Sequence, residues 1–346
     1  MSKTPQKILI TGGAGFIGCN AVQRYVREGH EVVVVDNLSR KGTGMNLAWL
    51  KTQGAFAFAQ VDLRDRAALE AVFEAHRDVD VVLHLAGQVA VTTSVVNPRE
   101  DFEINALGTF NVLEAVRKYA PGAALIYAST NKVYGGLEHL GVAEKGGRYQ
   151  FETLSTGVDE AMPLDFHSPY GCSKGAADQY VRDYARIYGL KTVCFRQSCI
   201  YGYRQFGVED QGWVAWFTIA TVLDKPITLY GDGKQVRDVL FVDDLVDAYQ
   251  AAVREISRTA GQVYNLGGGP RNQMSLLELL EHLERMGEKK ISYRFDKWRP
   301  GDQPVFVCDI RKAERDLGWT PKTPVLEGVS KLFGWVRENK HLFGEM

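Results

Sequence analysis

The segment Thr11-Gly12-Gly13-Ala14-Gly15-Phe16-Ile17-Gly18 constrains this chain more than any other. An apolar run over residues 7–11 leads into it and a helix-like stretch over 15–28 follows, so it marks a strand-to-helix turn. Its glycines have separate tasks. Gly12 permits a tight turn, Gly15 lets the backbone approach a pyrophosphate, and Gly18 allows helix and strand to pack closely. Phe16 and Ile17 open the helix, whose free N–H groups and dipole favour an anion. Asp36 ends the next β-branched run, where a carboxylate can bond both hydroxyls of a ribose. An acid there repels a 2′-phosphate, so NAD is expected over NADP, although Arg40 and Lys41 are nearby cations able to hold such a phosphate. Asn37 and Ser39 belong to the same cofactor loop. Asp62-Leu63 follows the next strand and is expected at the adenine. Leu85-Ala86-Gly87-Gln88 follows the one after, toward the cofactor's ribose and phosphates. For both, a plain strand-end turn is the alternative.

The turn belongs to a longer alternation. Short β-branched runs over 31–36, 79–84 and 124–129, with a weaker one over 55–62, alternate with helix-like segments over 45–52, 66–77 and 101–119. Such an order implies right-handed crossovers and a Rossmann-type, doubly wound parallel sheet in an α/β fold. A helix over 168–188 feeds a further strand over 191–196. After Gly202 the texture changes to shorter elements punctuated by glycine and proline, which predicts a smaller mixed α/β lobe that binds substrate. The expected division is an NAD-binding domain over 1–202, with elements near 238–266 returning to it, and a lobe over 203–237 and 267–346. Residues 137–166 show no periodicity and read as one long loop.

Charge and cysteine usage exclude several functions. Forty-one basic against forty-two acidic residues leave a formal charge of −1, which removes any general nucleic-acid footprint. The five cysteines contain no CxxC spacing, so neither a disulfide framework nor a metal site is expected, and a reducing compartment suits them. No apolar stretch approaches the ~18 residues a membrane span needs, and the first residues lack a signal peptide's pattern. A soluble, cytoplasmic enzyme without a membrane partner is the expectation.

Chemistry enters with Tyr170-Gly171-Cys172-Ser173-Lys174, which places Tyr170 and Lys174 one helical turn apart on one face. A lysine beside a phenol favours the phenolate, and that pair can take a proton from a sugar hydroxyl while hydride leaves the same carbon for a nicotinamide. Thr130 ends the run over 124–129 and should point into the crevice where parallel sheets bind ligands. Thr130, Tyr170 and Lys174 therefore form the candidate catalytic set, with Tyr170 and Lys174 also meeting the cofactor.

Together TGGAGFIG, Asp36, Asn105-Ala106-Leu107-Gly108-Thr109, Ser129-Thr130, YxxxK, GDGKQVRD and RPGD resemble the extended short-chain dehydrogenase/reductases, over residues 7 to about 320. Within that family, Ser129-Thr130-Asn131-Lys132-Val133-Tyr134-Gly135, the segment 164–180, Arg204-Gln205-Phe206 and Asp210-Gln211-Gly212-Trp213 are similar to the CDP-sugar 2-epimerases. The resemblance implies a tightly bound NAD regenerated in each cycle, a nucleotide-diphosphate sugar as substrate, and a homodimer or homotetramer. Two departures stand out. Gly87 takes the place of a frequent alanine. Cys199 replaces the asparagine of an RxxNVYG motif and cannot supply an amide's bonds to a phosphate.

A 4,6-dehydratase must eliminate water, and the family's acid pair for that step is replaced here by Asn131-Lys132. Epimerisation through a transient keto sugar needs only the catalytic set and NAD. The resemblance points to C2 of CDP-paratose, giving CDP-tyvelose, or of a related CDP-hexose. The alternatives are a UDP-hexose 4-epimerase, a redox enzyme that releases NADH, and an NAD-binding sensor without turnover. Candidate substrate residues are Thr130, Asn131, Lys132, His167, Cys199, Arg204, Arg237, Arg299 and Asp302. Arg237 and Arg299 offer guanidinium forks to the diphosphate. Without the resemblance, both arginines read as ion-pair members, Lys132 as the partner of an acid, His167 as a helix cap, and Trp213, Trp216 and Phe217 as core or subunit contact.

Overall fold

A computed structural model describes residues 4–299 and 302–344. In chain order the first elements are β1 (Lys7–Thr11), α1 (Phe16–Arg27), β2 (Glu31–Val35), α2 (Thr43–Leu50), β3 (Ala57–Ala59), α3 (Arg66–Ala75), β4 (Val81–His84), α4 (Val91–Val96), α5 (Pro98–Phe102), a π-helical turn (Glu103–Leu107), α6 (Gly108–Tyr119) and β5 (Ala124–Thr130). A hairpin, β6 (Val142–Lys145) and β7 (Arg148–Phe151), precedes α7 (Ser168–Tyr188), β8 (Lys191–Gln197) and β9 (Cys199–Tyr201). Then come α8 (Trp213–Val222), β10 (Ile227–Tyr230), β11 (Val236–Phe241), α9 (Val242–Arg254), α10 (Ile256–Thr259) and β12 (Gln262–Leu266). The chain closes with β13 (Gln273–Ser275), α11 (Leu276–Gly287), β14 (Tyr293–Asp296), β15 (Val305–Phe306), α12 (Arg311–Leu317) and α13 (Val325–Glu338).

Seven strands form one sheet in the order β12–β8–β5–β4–β1–β2–β3. Every pairing in it is parallel, and β1 lies between β2 and β4. Successive residues of a strand face opposite sides. Ile8, Ile10, Val34 and Val81 accordingly pack in one buried cluster, while Leu9, Val33, Val82 and Leu125 pack in another on the far side. Burial on both faces is why these strands read as unbroken apolar runs. From β1 the chain runs outward through β2 to β3 and then crosses back to β4 on the other side of β1, and this reversal of direction opens a crevice at the strands' carboxyl ends.

A smaller lobe is built around β11, antiparallel to β13 and parallel to β9 and β15, with β10 and β14 pairing beside it. Helices α8, α11 and α13 pack through Phe217, Leu279 and Leu332, and Trp213 and Trp216 lie half-buried against the same cluster. No helix among the described residues is long and apolar enough to cross a membrane.

Two expected elements differ. The helix over 101–119 is split by the π turn, a wider coil that recurs at functional sites. The long loop contains the β6–β7 hairpin, whose turn is Gly146 and Gly147 at φ 61° and 80°. Both central residues of such a two-residue turn need positive φ, so Gly-Gly between alternating runs was a legible hairpin signal. The hairpin docks on the smaller lobe: the Tyr149 N–H bonds the Lys234 carbonyl at 3.0 Å, and Lys234 pairs with Glu144 at 2.8 Å.

Candidate active site at the carboxyl ends of the parallel sheet

The turn after β1 is as tight as its glycines predict. Gly12 adopts φ 69°, and a Cβ there would lie 2.6 Å from the Ala86 nitrogen. A Cβ on Gly18 would lie 2.1 Å from the Gly12 carbonyl, so α1 can approach β1 only with glycine at that position. Asp36, buried at the end of β2, accepts bonds from the Ala14 N–H at 3.0 Å and the Leu38 N–H at 2.8 Å. Burial outweighs those bonds and raises its pKa above the usual carboxylate value.

A cleft of about 560 Å³ opens here. Its lining includes Gly12, Gly15, Phe16, Ile17, Gly18, Asp36, Asn37, Ser39, Arg40, Asp62, Leu63, Leu85, Ala86 and Gln88. A glycine turn, a helix N-terminus and a carboxylate on one wall fit a dinucleotide, with the diphosphate over α1 and a ribose toward Asp36. Asp62 is already engaged by Arg64 at 2.8 Å and by the Asn37 amide at 2.9 Å, and the Arg64 bond holds its pKa well below the usual value.

Tyr170, Lys174 and Thr130 meet beside this cleft. Pro169 lies in the first turn of α7, where a missing N–H costs nothing, and Ser168, which opens the helix, takes a left-handed φ of 66°. The Ser94 hydroxyl accepts the Tyr170 N–H at 3.2 Å. Tyr170 is 8% exposed, and its phenol lies near enough to the Thr130 hydroxyl to be influenced by it. Thr130 closes β5, and its oxygen also caps the next turn by accepting the Lys132 N–H at 3.2 Å.

Lys174 bonds a backbone carbonyl and not the phenol that the sequence places beside it. Its ammonium donates to the Ala128 carbonyl at 2.6 Å and lies 4.3 Å from the centre of the Tyr127 ring. Burial pushes Tyr170 up to about 12, against the influence of the Thr130 hydroxyl and the charge of Arg40. Burial also lowers Lys174 to about 8. At neutral pH the phenol is protonated and the ammonium is mostly charged.

Sequence reading missed the groups that hold these residues. Asp101 on α5 accepts the Ser173 hydroxyl and, at 2.8 Å, the Gln88 amide. The Asn105 amide, on the π turn, donates to Asp101 at 3.1 Å and to the Gln88 carbonyl at 3.0 Å, and its oxygen accepts the Gln88 N–H at 3.0 Å. A Cβ on Gly87 would lie 2.9 Å from that Asn105 oxygen, so glycine there leaves room for the bond. Deeper still, Asp178 and Arg196 form a buried two-bond ion pair at 3.0 Å for each bond. Ser129 donates to Asp178 at 2.8 Å, and Arg196 reaches the Tyr134 hydroxyl at 3.1 Å. Asn105 was visible only as part of a family motif, whereas Ser94, Asp101 and Asp178 carried no local signal.

The substrate candidates divide into three places. Lys132, Cys199, Arg237 and Asp302 lie close enough for their charges to interact, next to Thr130 and the buried Asn131. Arg237 pairs with Asp302 at 2.6 Å, and Lys132 is lowered by burial and by Arg237. Arg204 lies instead on the dinucleotide cleft, its guanidinium 4.1 Å from the Trp49 ring. Arg299 pairs with Asp210 at 2.9 Å and lies 4.0 Å from the Tyr230 ring. Pro300 and Gly301 of the RPGD motif lie outside the described residues. His167 is exposed at the start of α7 and makes no capping bond there. Among the described residues no group of three or more His, Cys, Asp or Glu side chains is placed to hold a metal.

A parallel sheet with a glycine-lined dinucleotide cleft and a Thr–Tyr–Lys set defines a class of NAD-dependent oxidoreduction enzymes. The chain belongs to the NAD dependent epimerase/dehydratase family, which matches residues 8–267. It is 47% identical over 334 residues to a CDP-paratose 2-epimerase of Salmonella typhi, covering 95% of this chain and 98% of that one. It is 35% identical to a dTDP-glucose 4,6-dehydratase of Neisseria meningitidis, over 97% of this chain and 94% of the relative. Among solved structures, a Thermotoga maritima UDP-glucose 4-epimerase with UDP-glucose superimposes with a TM-score of 0.83 at 31% identity, covering 96% of this chain and 99% of that one. The Thermus thermophilus UDP-glucose 4-epimerase in complex with NAD gives 0.78 at 32% identity, covering 98% and 100%.

Proposed function

We propose that this chain inverts C2 of a CDP-sugar, converting CDP-paratose to CDP-tyvelose or acting alike on a related CDP-hexose. It would do so in the cytoplasm, the compartment its free thiols suit. The carrying observation is the placing of the Tyr170 phenol near the Thr130 hydroxyl beside the dinucleotide cleft, with Asn131-Lys132 following where elimination would call for an acid pair. The 47% identity to a CDP-paratose 2-epimerase supports the choice of base and carbon.

Thr130 and Tyr170 hold the reacting hydroxyl between them, and Tyr170 Oη takes its proton when in the phenolate form, the minor form at neutral pH. NAD, held by the glycine turn at Gly12–Gly18 and by Asp36, would supply the hydride acceptor and donor for the sugar carbon. Tyr170 Oη then gives the proton back to the same oxygen, so the residue ends each cycle as it began. Asp101, Asn105 and Ser173 hold α7 and the loop after β4 in register around these atoms. Lys132 and Arg237 present two positive charges next to Thr130, suited to the anionic part of the substrate, and Asp302 orients Arg237.

The test uses protein without added cofactor, incubated in deuterated water with CDP-glucose and with UDP-glucose and followed by proton NMR. The expected result is a manno product from the CDP sugar that retains hydrogen at C2. Deuterium at C2 would indicate proton exchange instead, and a galacto product from the UDP sugar would replace this reading with C4 epimerisation.

The same proposal includes a homodimer or homotetramer. Leu107, Phe110, Tyr180, Ile187 and Tyr188 leave an exposed apolar stripe along α6 and α7, with Ile187 65% exposed. A monomer seldom leaves such a stripe uncovered, and a two-fold axis would pair it with its own copy. Light scattering should give a mass of two or four chains, and the mass of one chain would remove the proposal.

A further inference from the structure

The strap between β9 and α8, residues 202–212, touches both halves of the site. Its first half is fixed by buried groups. The Asn20 amide donates to the Tyr203 carbonyl at 2.9 Å and the Asn46 amide to the Arg204 carbonyl at 3.4 Å. The Phe206 ring packs against Phe343 at 5.4 Å and lies so close over Gly42 that a Cβ there would meet it at 2.3 Å. From this anchorage Arg204, Gln205, Phe206 and Gly207 line one wall of the dinucleotide cleft, and Gln211 lines it from the second half.

That second half is held differently. Val208 and Gln211 close a tight turn through N–H···O bonds of 3.1 and 2.9 Å, and Glu209 and Asp210 at its tip are exposed. Arg299 grips the tip from the smaller lobe: its Nη2 is 2.9 Å from Asp210 Oδ1 and 3.0 Å from the Glu209 carbonyl. Tyr230 lies beneath the guanidinium at 4.0 Å, and its hydroxyl donates to Glu209 Oε1 at 3.2 Å. Arg299 and Tyr230 thus tie this tip to the smaller lobe through side-chain bonds.

We propose that Arg299 is a positioning residue whose grip on the Val208–Gln211 turn keeps the strap closed over the dinucleotide cleft, so that NAD stays in place while sugar nucleotides come and go. The inference rests on reading that cleft as the NAD site. It gives the guanidinium fork a task on the protein's own loop, where the sequence had suggested the substrate diphosphate. Retention matters for an epimerase, because cofactor lost in mid-cycle would strand the keto sugar.

The test loads the protein with NAD, adds an excess of isotopically labelled NAD, and follows exchange by mass spectrometry of the nucleotide released on denaturation. Asp210→Asn is exposed, nearly isosteric and outside the proposed catalytic and substrate groups. It should exchange about fivefold faster than the parent, as expected for one good exposed ion pair, with kcat unchanged at saturating NAD. Arg299→Met, which also loses the bond to the Glu209 carbonyl, should exchange about tenfold faster or more. Raising the salt should speed exchange in the parent and not in Asp210→Asn, since the screened pair is already gone; a purely structural defect would not abolish that dependence. Unchanged exchange in both variants would overturn the latch while leaving the cleft as the NAD site. A parent protein unable to hold NAD at all would overturn the cleft reading and the latch with it.

Discussion

Tyr170→Phe is expected to keep its fold and its NAD and to lose about 10³-fold in kcat, within the range of ~10²–10⁴ for a positioned general acid–base group. The ring is buried and its backbone N–H is held by Ser94, so phenylalanine fills the same space and only the hydroxyl disappears. That oxygen is asked to take and return a proton in one cycle, and the Thr130 hydroxyl beside it has no comparable acidity. Single-turnover NMR on protein shown to retain NAD is the measurement, and activity within tenfold of the parent would remove Tyr170 as the base. The pH profile of the parent adds a second readout. With Tyr170 at about 12, the phenolate fraction grows with pH. Lys174 is bonded to the Ala128 carbonyl rather than to the phenol, so kcat/KM should rise steadily through about pH 9. A break near pH 8, where Lys174 titrates, would tie Lys174 to the chemistry.

Arg196→Met should lower folding stability by about 3–5 kcal/mol, the typical cost of leaving one member of a buried ion pair uncompensated. Asp178 is fully buried and Arg196 is 2% exposed, so no water can replace the lost bonds. Burial opposes the charge on Asp178, yet the Arg196 bonds prevail and hold its carboxyl below the usual range. A depressed carboxylate pKa means that this contribution is complete above the unfolded value of ~3.9 and fades as pH falls through the folded one. Urea midpoints at pH 7 measure the loss, and a change under 1 kcal/mol would show that water or a neighbour repairs the site. Asp178→Asn together with Arg196→Met should recover part of the stability, because no bare charge is then left in the core. Turnover should fall as well, since Asp178 also holds Ser129, the residue before Thr130.

The two results bear on different layers of the site, and those layers were not equally readable. The strand–glycine–helix order, Asp36, the strand-end threonine and the YxxxK spacing are local patterns, each set by the period of a helix or strand, so the α/β class and a candidate catalytic set could be read from the chain alone. The hairpin turn at Gly146-Gly147 was equally local and was passed over in favour of a loop. Contacts between segments 70 or more residues apart are another matter. Asp101 meeting Ser173, Ser94 meeting the Tyr170 backbone and Arg299 meeting the 208–211 turn depend on how helices and lobes pack, and no periodicity records that. The ammonium of Lys174 makes the same point: spacing put it on the phenol's face of α7, but the end of β5 offered a buried carbonyl and an aromatic face, and it went there. Sequence by itself determined the fold class and which groups are candidates for the chemistry, because residue type and local period are enough for that. Tertiary structure alone decided their protonation and their partners, because burial and long-range hydrogen bonds exist only once the chain has packed.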